Sequence, residues 1–172
     1  TKPNCSILYL DANNQYGWAM SQRLSMRDFG WADDVTIETV IETADDAETG
    51  YILEVDLEYP EDLHDAHSDY PLAPETMSVP EEWLSKYQHG LIDKFNGGKY
   101  FECDKLVPNL KNKEKYVVHY RNLKQYVKLG LKVTKIHRVL QFTQGAWMKP
   151  YIDFNTNLRA KTNNAFEKDF FK

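Results

Sequence analysis

Residues 51–60 read YILEVDLEYP. Leu53, Val55, Leu57 and Tyr59 alternate with Ile52, Glu54, Asp56 and Glu58, the period of two that sends successive side chains to opposite faces of a strand. Gly50 opens the run and Pro60, which has no N–H for a sheet ladder, ends it. The pattern predicts a half-buried strand with Asp56 and Glu58 on its solvent face, not a catalytic carboxylate pair. A strand of this kind needs a sheet on one side and water on the other, so the segments around it must supply further strands and a covering layer.

On the N-terminal side, residues 32–50 are acidic and show no clear period, which predicts a loop around a short β segment, VTIETVI at 35–41. Tyr16–Leu24 has the look of a short helix. Before it, CSILYL at 5–10 is an apolar run ending at Asp11 and bounded by the turn-like Ala12-Asn13-Asn14, the pattern of a buried strand. On the C-terminal side, residues 60–80 are rich in Pro, Asp and His and predict an extended loop. Residues 81–95 read as helix interrupted by Gly90, and NGG at 96–98 as a turn. Tyr116, Tyr120, Leu123 and Val127 form a helical stripe that Gly130 is placed to cap. Residues 131–142 predict a strand. From Tyr151 onward the chain reads as helical, as two helices if hinged at Asn163–Asn164. Helices and strands are mixed without βαβ alternation, so the expected fold class is α+β.

The 172 residues suffice for a sizeable core, and 13% aromatics with 27% charged residues are the balance of a globular chain. No apolar run approaches the ~20 residues of a membrane span, so no membrane partner is expected. Cys5 and Cys103 lack CxxC or zinc-finger spacing, which predicts a reduced, intracellular protein with Cys103 as a packing residue. Both ends read as cut from a longer chain, there being no initiator Met and no stop signal after AFEKDFFK.

Charge is strongly segregated beneath a net of −5. Residues 1–82 carry 3 basic and 19 acidic residues, and residues 83–172 carry 18 basic and 7 acidic. Ten Lys or Arg against the single acid Glu114 fall within 105–138. Such a block, with Lys111, Lys113, Lys115, Arg121, Lys124 and Lys128 in it, suits DNA phosphates; a solvated helix-and-strand face is the plainer reading of charge alone. His64 and His67 have an HxxH look without a third ligand. Trp83, Trp147 and Tyr151 have flat faces that could stack bases, although core packing is the commoner use of such rings.

A strand, then Asp, then a tight turn and helix is a good frame for a divalent cation, because the turn aims the Asp11 carboxylate and nearby carbonyls such as that of Ala12 at one point. An ordinary turn-forming Asp is the commoner outcome of that pattern alone. The wider string YLDANNQYGWAM at 9–20 resembles the first polymerase motif of family B DNA polymerases, in the variant found in Polinton/Maverick transposons and related virus-like or linear-plasmid elements. Gln15 departs from the Leu usual there. The run KLVPNLKNKEKYVVHYRNLKQYVKLGLKVTKIHRVLQF at 105–142 and KPYIDFNTNLRAKTNNAFEKDFFK at 149–172 resemble the segment leading into the fingers of the same polymerases, with Lys172 at the first Lys of the fingers motif.

The resemblance implies a fragment of a DNA-directed DNA polymerase of the protein-primed kind, a nucleotidyltransferase acting in DNA replication by two-metal phosphoryl transfer. Residues 1–24 would be palm strand and first motif. Residues 25–149 would continue the palm and hold an inserted subdomain like the one that contacts the priming protein. Residues 150–172 would begin the helical fingers. Asp11, with the Ala12 carbonyl, would bind Mg²⁺, two ions being expected in the complete enzyme. Asn13, Asn14 and Gln15 would lie along the triphosphate, and Tyr16 would pack under the sugar and exclude a 2′-hydroxyl. Arg159 and Lys172, with Lys161 as second choice and Lys168 nearby, would bind the triphosphate. The implied partners are DNA primer–template, deoxynucleoside triphosphates and a terminal priming protein. A nuclear location would suit a eukaryotic mobile element. This piece alone would be inactive, since the second metal-binding Asp would lie elsewhere. The rival expectation is a non-catalytic, domesticated or decaying remnant that serves as a nucleic-acid or protein binding module.

Overall fold

The alternating run at 51–60 does form a strand. A computed structural model describes residues 8–10 and 14–171. In chain order the elements are α1 (Gln15–Met20), β1 (Leu24–Trp31), α2 (Ile37–Glu42), β2 (Thr49–Glu58), α3 (His64–His67), β3 (Glu75–Ser78), α4 (Lys86–Asn96), β4 (Asp104–Val107), β5 (Lys113–His119), α5 (Tyr120–Lys128), β6 (Lys132–Gly145), α6 (Lys149–Lys161) and α7 (Ala165–Phe170). Short 3₁₀ turns occupy Glu61–Leu63 and Glu81–Trp83. The class is α+β with a curled antiparallel sheet. The chain divides into two compact units. The first comprises Thr1–Trp31, Thr43–Tyr51 and Leu140–Lys172, and the second Ala32–Glu42 and Ile52–Val139.

In the second unit β2 lies between β5 and the first part of β6. β2 and β5 pair antiparallel, with Leu53 opposite Val118 and Val55 opposite Tyr116. Leu53, Val55, Leu57 and Tyr59 are buried, as the alternation requires, and Val118, Tyr120, Leu123, Leu131 and Val139 join them. Burial of this apolar set, at roughly 25 cal/mol per Å² removed from water, is the main term holding the unit together.

The opposite face of β2 differs from the expected solvent face. Glu54, Asp56 and Glu58 are half-buried. Arg138 reaches Glu54 through Nε and Nη2 at 2.8 and 3.1 Å. His137 Nε2 lies 2.7 Å from Asp56, which also accepts the Lys115 backbone N–H at 2.8 Å. Lys132 meets Glu58 at 3.0 Å. The acidic strand and the basic strand β6 thus neutralise each other side by side. The Arg138 hydrogen bond holds the Glu54 carboxyl below its usual range, and the Lys115 N–H followed by His137 does the same for Asp56.

Several local expectations change. Residues 35–41 are not a β segment: α2 takes Ile37–Glu42, its entry fixed by the Thr36 hydroxyl accepting the Thr39 N–H at 3.4 Å. Val40 is its one buried side chain, and α2 packs on α5. That buried anchor outweighs the strand preference of the β-branched residues. Tyr116 belongs to β5, and α5 starts only at Tyr120, where the His119 ring accepts the Arg121 N–H. Gly90 lies within α4 without breaking it, because a reciprocal cap between Ser85 and Gln88 secures the helix start. The 60–80 segment carries α3 and the strand β3, which pairs with β4. The turn at 96–98 and the cap at Gly130 form as expected, with φ of 59° at Gly97, 77° at Gly98 and 106° at Gly130.

In the first unit β1 pairs with β6, Leu24 opposite Gly145 and Trp31 opposite Leu140, with two register shifts and Asp28 at φ 57°. The sequence reading had no strand at 24–31, where these irregularities erase the alternation. The core here is thin, being Tyr51 and Phe142 among the described apolar residues. Gln144 ties the 47–48 turn to β6, its backbone N–H to the Glu48 carbonyl at 2.8 Å and its Nε2 to the Ala47 carbonyl at 2.8 Å. Residues 8–10 are not in a strand, and Leu8, Tyr9 and Leu10 are exposed rather than buried. An apolar run becomes a strand only against a partner, and no strand among the described residues pairs with these three.

Candidate functional site

The first unit has a cleft of about 630 Å³ lined from three helices. From α1 and its cap come Asn14, Gln15, Tyr16, Gly17 and Met20; from α6, Tyr151, Ile152, Asn155, Thr156 and Arg159; from α7 and its end, Phe170 and Phe171.

Local geometry explains how each wall is held. Asn14 caps α1 in the left-handed conformation, φ 53° and ψ 41°, which Asn tolerates better than most residues. Gly17 is the buried residue of α1, and a Cβ there would overlap the Asn14 carboxamide, so the glycine is what lets that side chain fold onto the helix. Tyr16 is left 86% exposed and on the cleft wall. Pro150 in the first turn of α6 suits a helix start, where its missing N–H costs nothing.

α6 stops at Lys161. The Thr162 hydroxyl accepts the Asn164 N–H at 3.2 Å and donates to the Glu167 carboxylate, and Asn164 Oδ1 accepts the Phe166 N–H at 2.9 Å to start α7. This is the hinge anticipated at Asn163–Asn164, and it brings Phe170 and Phe171 onto the same cleft as Arg159. It also puts Lys161 and Lys168 on separate helices. Both are exposed and neither lines the cleft.

Of the expected nucleotide-site residues, the structure brings together Asn14, Gln15, Tyr16 and Arg159. Asp11, Ala12, Asn13 and Lys172 lie outside the described residues. Among the described residues no cluster of three His, Cys, Asp or Glu side chains is placed to hold a metal ion. His64 and His67 each pack edge-on against the Tyr59 ring at 5.7 Å, and His67 Nδ1 lies 2.8 Å from the Tyr59 hydroxyl. The sequence reading did not assign Tyr151, Asn155 and Thr156 to this site. Their signal was the spacing of four among Tyr151, Asn155 and Arg159 on one helix.

The DNA-contact set divides. Lys113 is 1% exposed; its ammonium sits 2.8 Å from Glu75 and also bonds Asn109. It is a buried structural cation, not one exposed to contact DNA phosphates as expected. Burial pushes the Glu75 carboxyl up, but Lys113 and Asn109 outweigh it and the net shift is downward. Lys111 lies over the Trp83 ring at 4.0 Å. Arg121 and Lys124 are half-buried, and Lys128 and Lys115 are exposed. Trp147 and Tyr151, expected in a core, are exposed, as is Cys103. No helix among the described residues is long and apolar enough to cross a membrane. In comparisons with known proteins, no family model matches this chain, and no curated protein or solved structure matches it either.

Proposed function

We propose that this chain is an internal part of a protein-primed family B DNA polymerase and that the α1–α6–α7 cleft receives the incoming deoxynucleoside triphosphate. The supporting observation is that one cleft joins residues from the two separate stretches that resemble such polymerases, Asn14–Tyr16 and Arg159. A cleft with an aromatic ring, carboxamides and a guanidinium suits a ligand that is flat at one end and anionic at the other.

In this reading Tyr16 supports the sugar and leaves no room for a 2′-hydroxyl. Arg159 offsets the charge of the triphosphate, and Lys172 adds a second cation. Mg²⁺, held by Asp11 in the complete enzyme, would polarise the phosphates and activate the attacking hydroxyl. Phosphoryl transfer asks little else of protein beyond positioning and charge. Lys128 on α5 and Lys115 would approach the DNA backbone, with Arg121 and Lys124 beside them.

The test is made on the complete protein carrying this chain. Asp11→Asn should abolish nucleotide addition, and Tyr16→Ala should raise ribonucleotide relative to deoxyribonucleotide incorporation. Lys172→Ala should raise the apparent nucleotide KM and lower kcat with primer–template binding nearly intact. Undiminished synthesis in Asp11→Asn would overturn the reading. DNA binding without any nucleotide addition by the complete protein would favour a binding module instead.

A further inference from the structure

The nucleotide reading leaves unused the most exposed aromatic ring on α6. Tyr151 is 65% exposed and lines the cleft at the first turn of the helix. Asn155 and Arg159 follow it at intervals of four, so all three lie along one face. Asn155 is anchored there by its Nδ2, which donates to the Tyr151 carbonyl at 2.9 Å. From Tyr151 to Arg159 the helix rises about 12 Å, comparable to the reach of a nucleotide from base to outer phosphates. The polarity of the face is also graded. At its aromatic end Lys149 is paired with Asp153 at 2.8 Å; its cationic end is Arg159.

We propose that Tyr151 is the base-stacking residue of this cleft: the base of a nucleoside triphosphate lies on its ring, the sugar passes Asn155, and the phosphates reach Arg159. The inference rests on the nucleotide reading and goes beyond it, because it gives the chain itself a contact to the base before any template is present. Stacking of a base on an exposed ring is tolerant of base identity, since every base has a π-face. The cleft should therefore favour nucleotide over bare triphosphate without choosing among the four bases.

The experiment is calorimetric titration of the full 172-residue chain with dATP and, separately, with inorganic tripolyphosphate, both with Mg²⁺. The unaltered chain should bind dATP about tenfold more tightly than tripolyphosphate, the scale of one stacked base. Tyr151→Ala should remove that difference by weakening dATP alone, and Tyr151→Phe, which keeps the ring, should restore it. Arg159→Ala should weaken both ligands. If Arg159→Ala weakens both ligands and Tyr151→Ala changes neither, the stacking inference is wrong and the nucleotide reading stands. Equal weakening of both ligands by Tyr151→Ala would make the residue a structural prop and would also sink the inference. If Arg159→Ala changes neither ligand, or dATP does not bind, the nucleotide reading of the cleft fails and the inference with it.

Discussion

The two units of this chain differ in how much apolar side chain they bury, although both leave rings exposed, Tyr70, Tyr87, Phe95 and Phe101 in the second among them. The second unit buries Leu53, Val55, Leu57, Tyr59, Val118, Tyr120, Leu123, Leu131 and Val139 in one core. The first, which holds the candidate site, buries Tyr51 and Phe142 and leaves Tyr16, Trp18, Trp147, Tyr151, Phe154, Phe166 and Phe170 exposed. A sheet with one buried face gains most of its stability from that face. Three short helices around an open cleft gain less and keep rings available to a ligand. The difference separates stability from recognition, and substitutions can test that separation.

The largest effect is expected in the second unit. Leu53 is fully buried at the centre of β2, and Leu53→Ala should cost about 2–5 kcal/mol in denaturant unfolding. A cost below ~1 kcal/mol would break the contrast. Next, Lys113→Ala leaves Glu75 and Asn109 without their shared cation. Loss of a buried partner of this kind costs about 3–5 kcal/mol when the pair is fully enclosed; since Glu75 keeps some contact with water, about 2 kcal/mol is expected. In the first unit Gly50→Ala is the sharper probe. Its Cβ would come within 2.5 Å of the Phe142 ring and 2.7 Å of Gln144 Oε1. Overpacking there should cost about 1–3 kcal/mol.

Acid should act on the second unit first. Glu54, Asp56 and Glu75 all have carboxyls held below their ordinary values in the folded chain. The unfolded chain therefore binds more protons than the folded one as pH drops. The stabilisation is fully present above the ordinary carboxylate range and is lost as pH falls through the lowered values. A melting temperature that stays flat from pH 6 down to about pH 3 would contradict these pairings. The smallest effect should come from Phe154→Ala, on a ring that is exposed and off the cleft, with a change within about 0.5 kcal/mol.

Legibility followed separation along the chain and not the division between the units. The β2 alternation, the turn at Gly97–Gly98, the cap at Gly130 and the break between α6 and α7 could be read because each is set by neighbours in sequence. The Asn164 cap and the Thr162 hydroxyl act within five residues. Strand β1 could not be read, because two register shifts and the left-handed Asp28 hide its period, and its partner β6 lies more than a hundred residues away. Helix α2 was misread because VTIETVI has strand propensity, and only the burial of Val40 on the α5 side reverses it. Tyr116 was assigned to the wrong element because its spacing from Tyr120 fits a helix equally well.

The candidate site shows the same limit. Sequence alone pointed to Asn14, Gln15, Tyr16 and Arg159 through resemblance, and to Asp56 and Glu58 as ordinary strand carboxylates. It also marked 105–138 as basic. It had no means of showing that Glu54, Asp56 and Glu58 would meet Arg138, His137 and Lys132, nor that Lys113 would be buried on Glu75. Charge composition records how many cations there are, whereas pairing depends on which strands lie side by side. Nor could it place Tyr151 and Asn155 beside Tyr16. Local rules act through a few covalent neighbours and are written in the sequence. The neutralised sheet face and the three-helix cleft join residues distant in the chain, and only the packing of the folded molecule decides which of them meet.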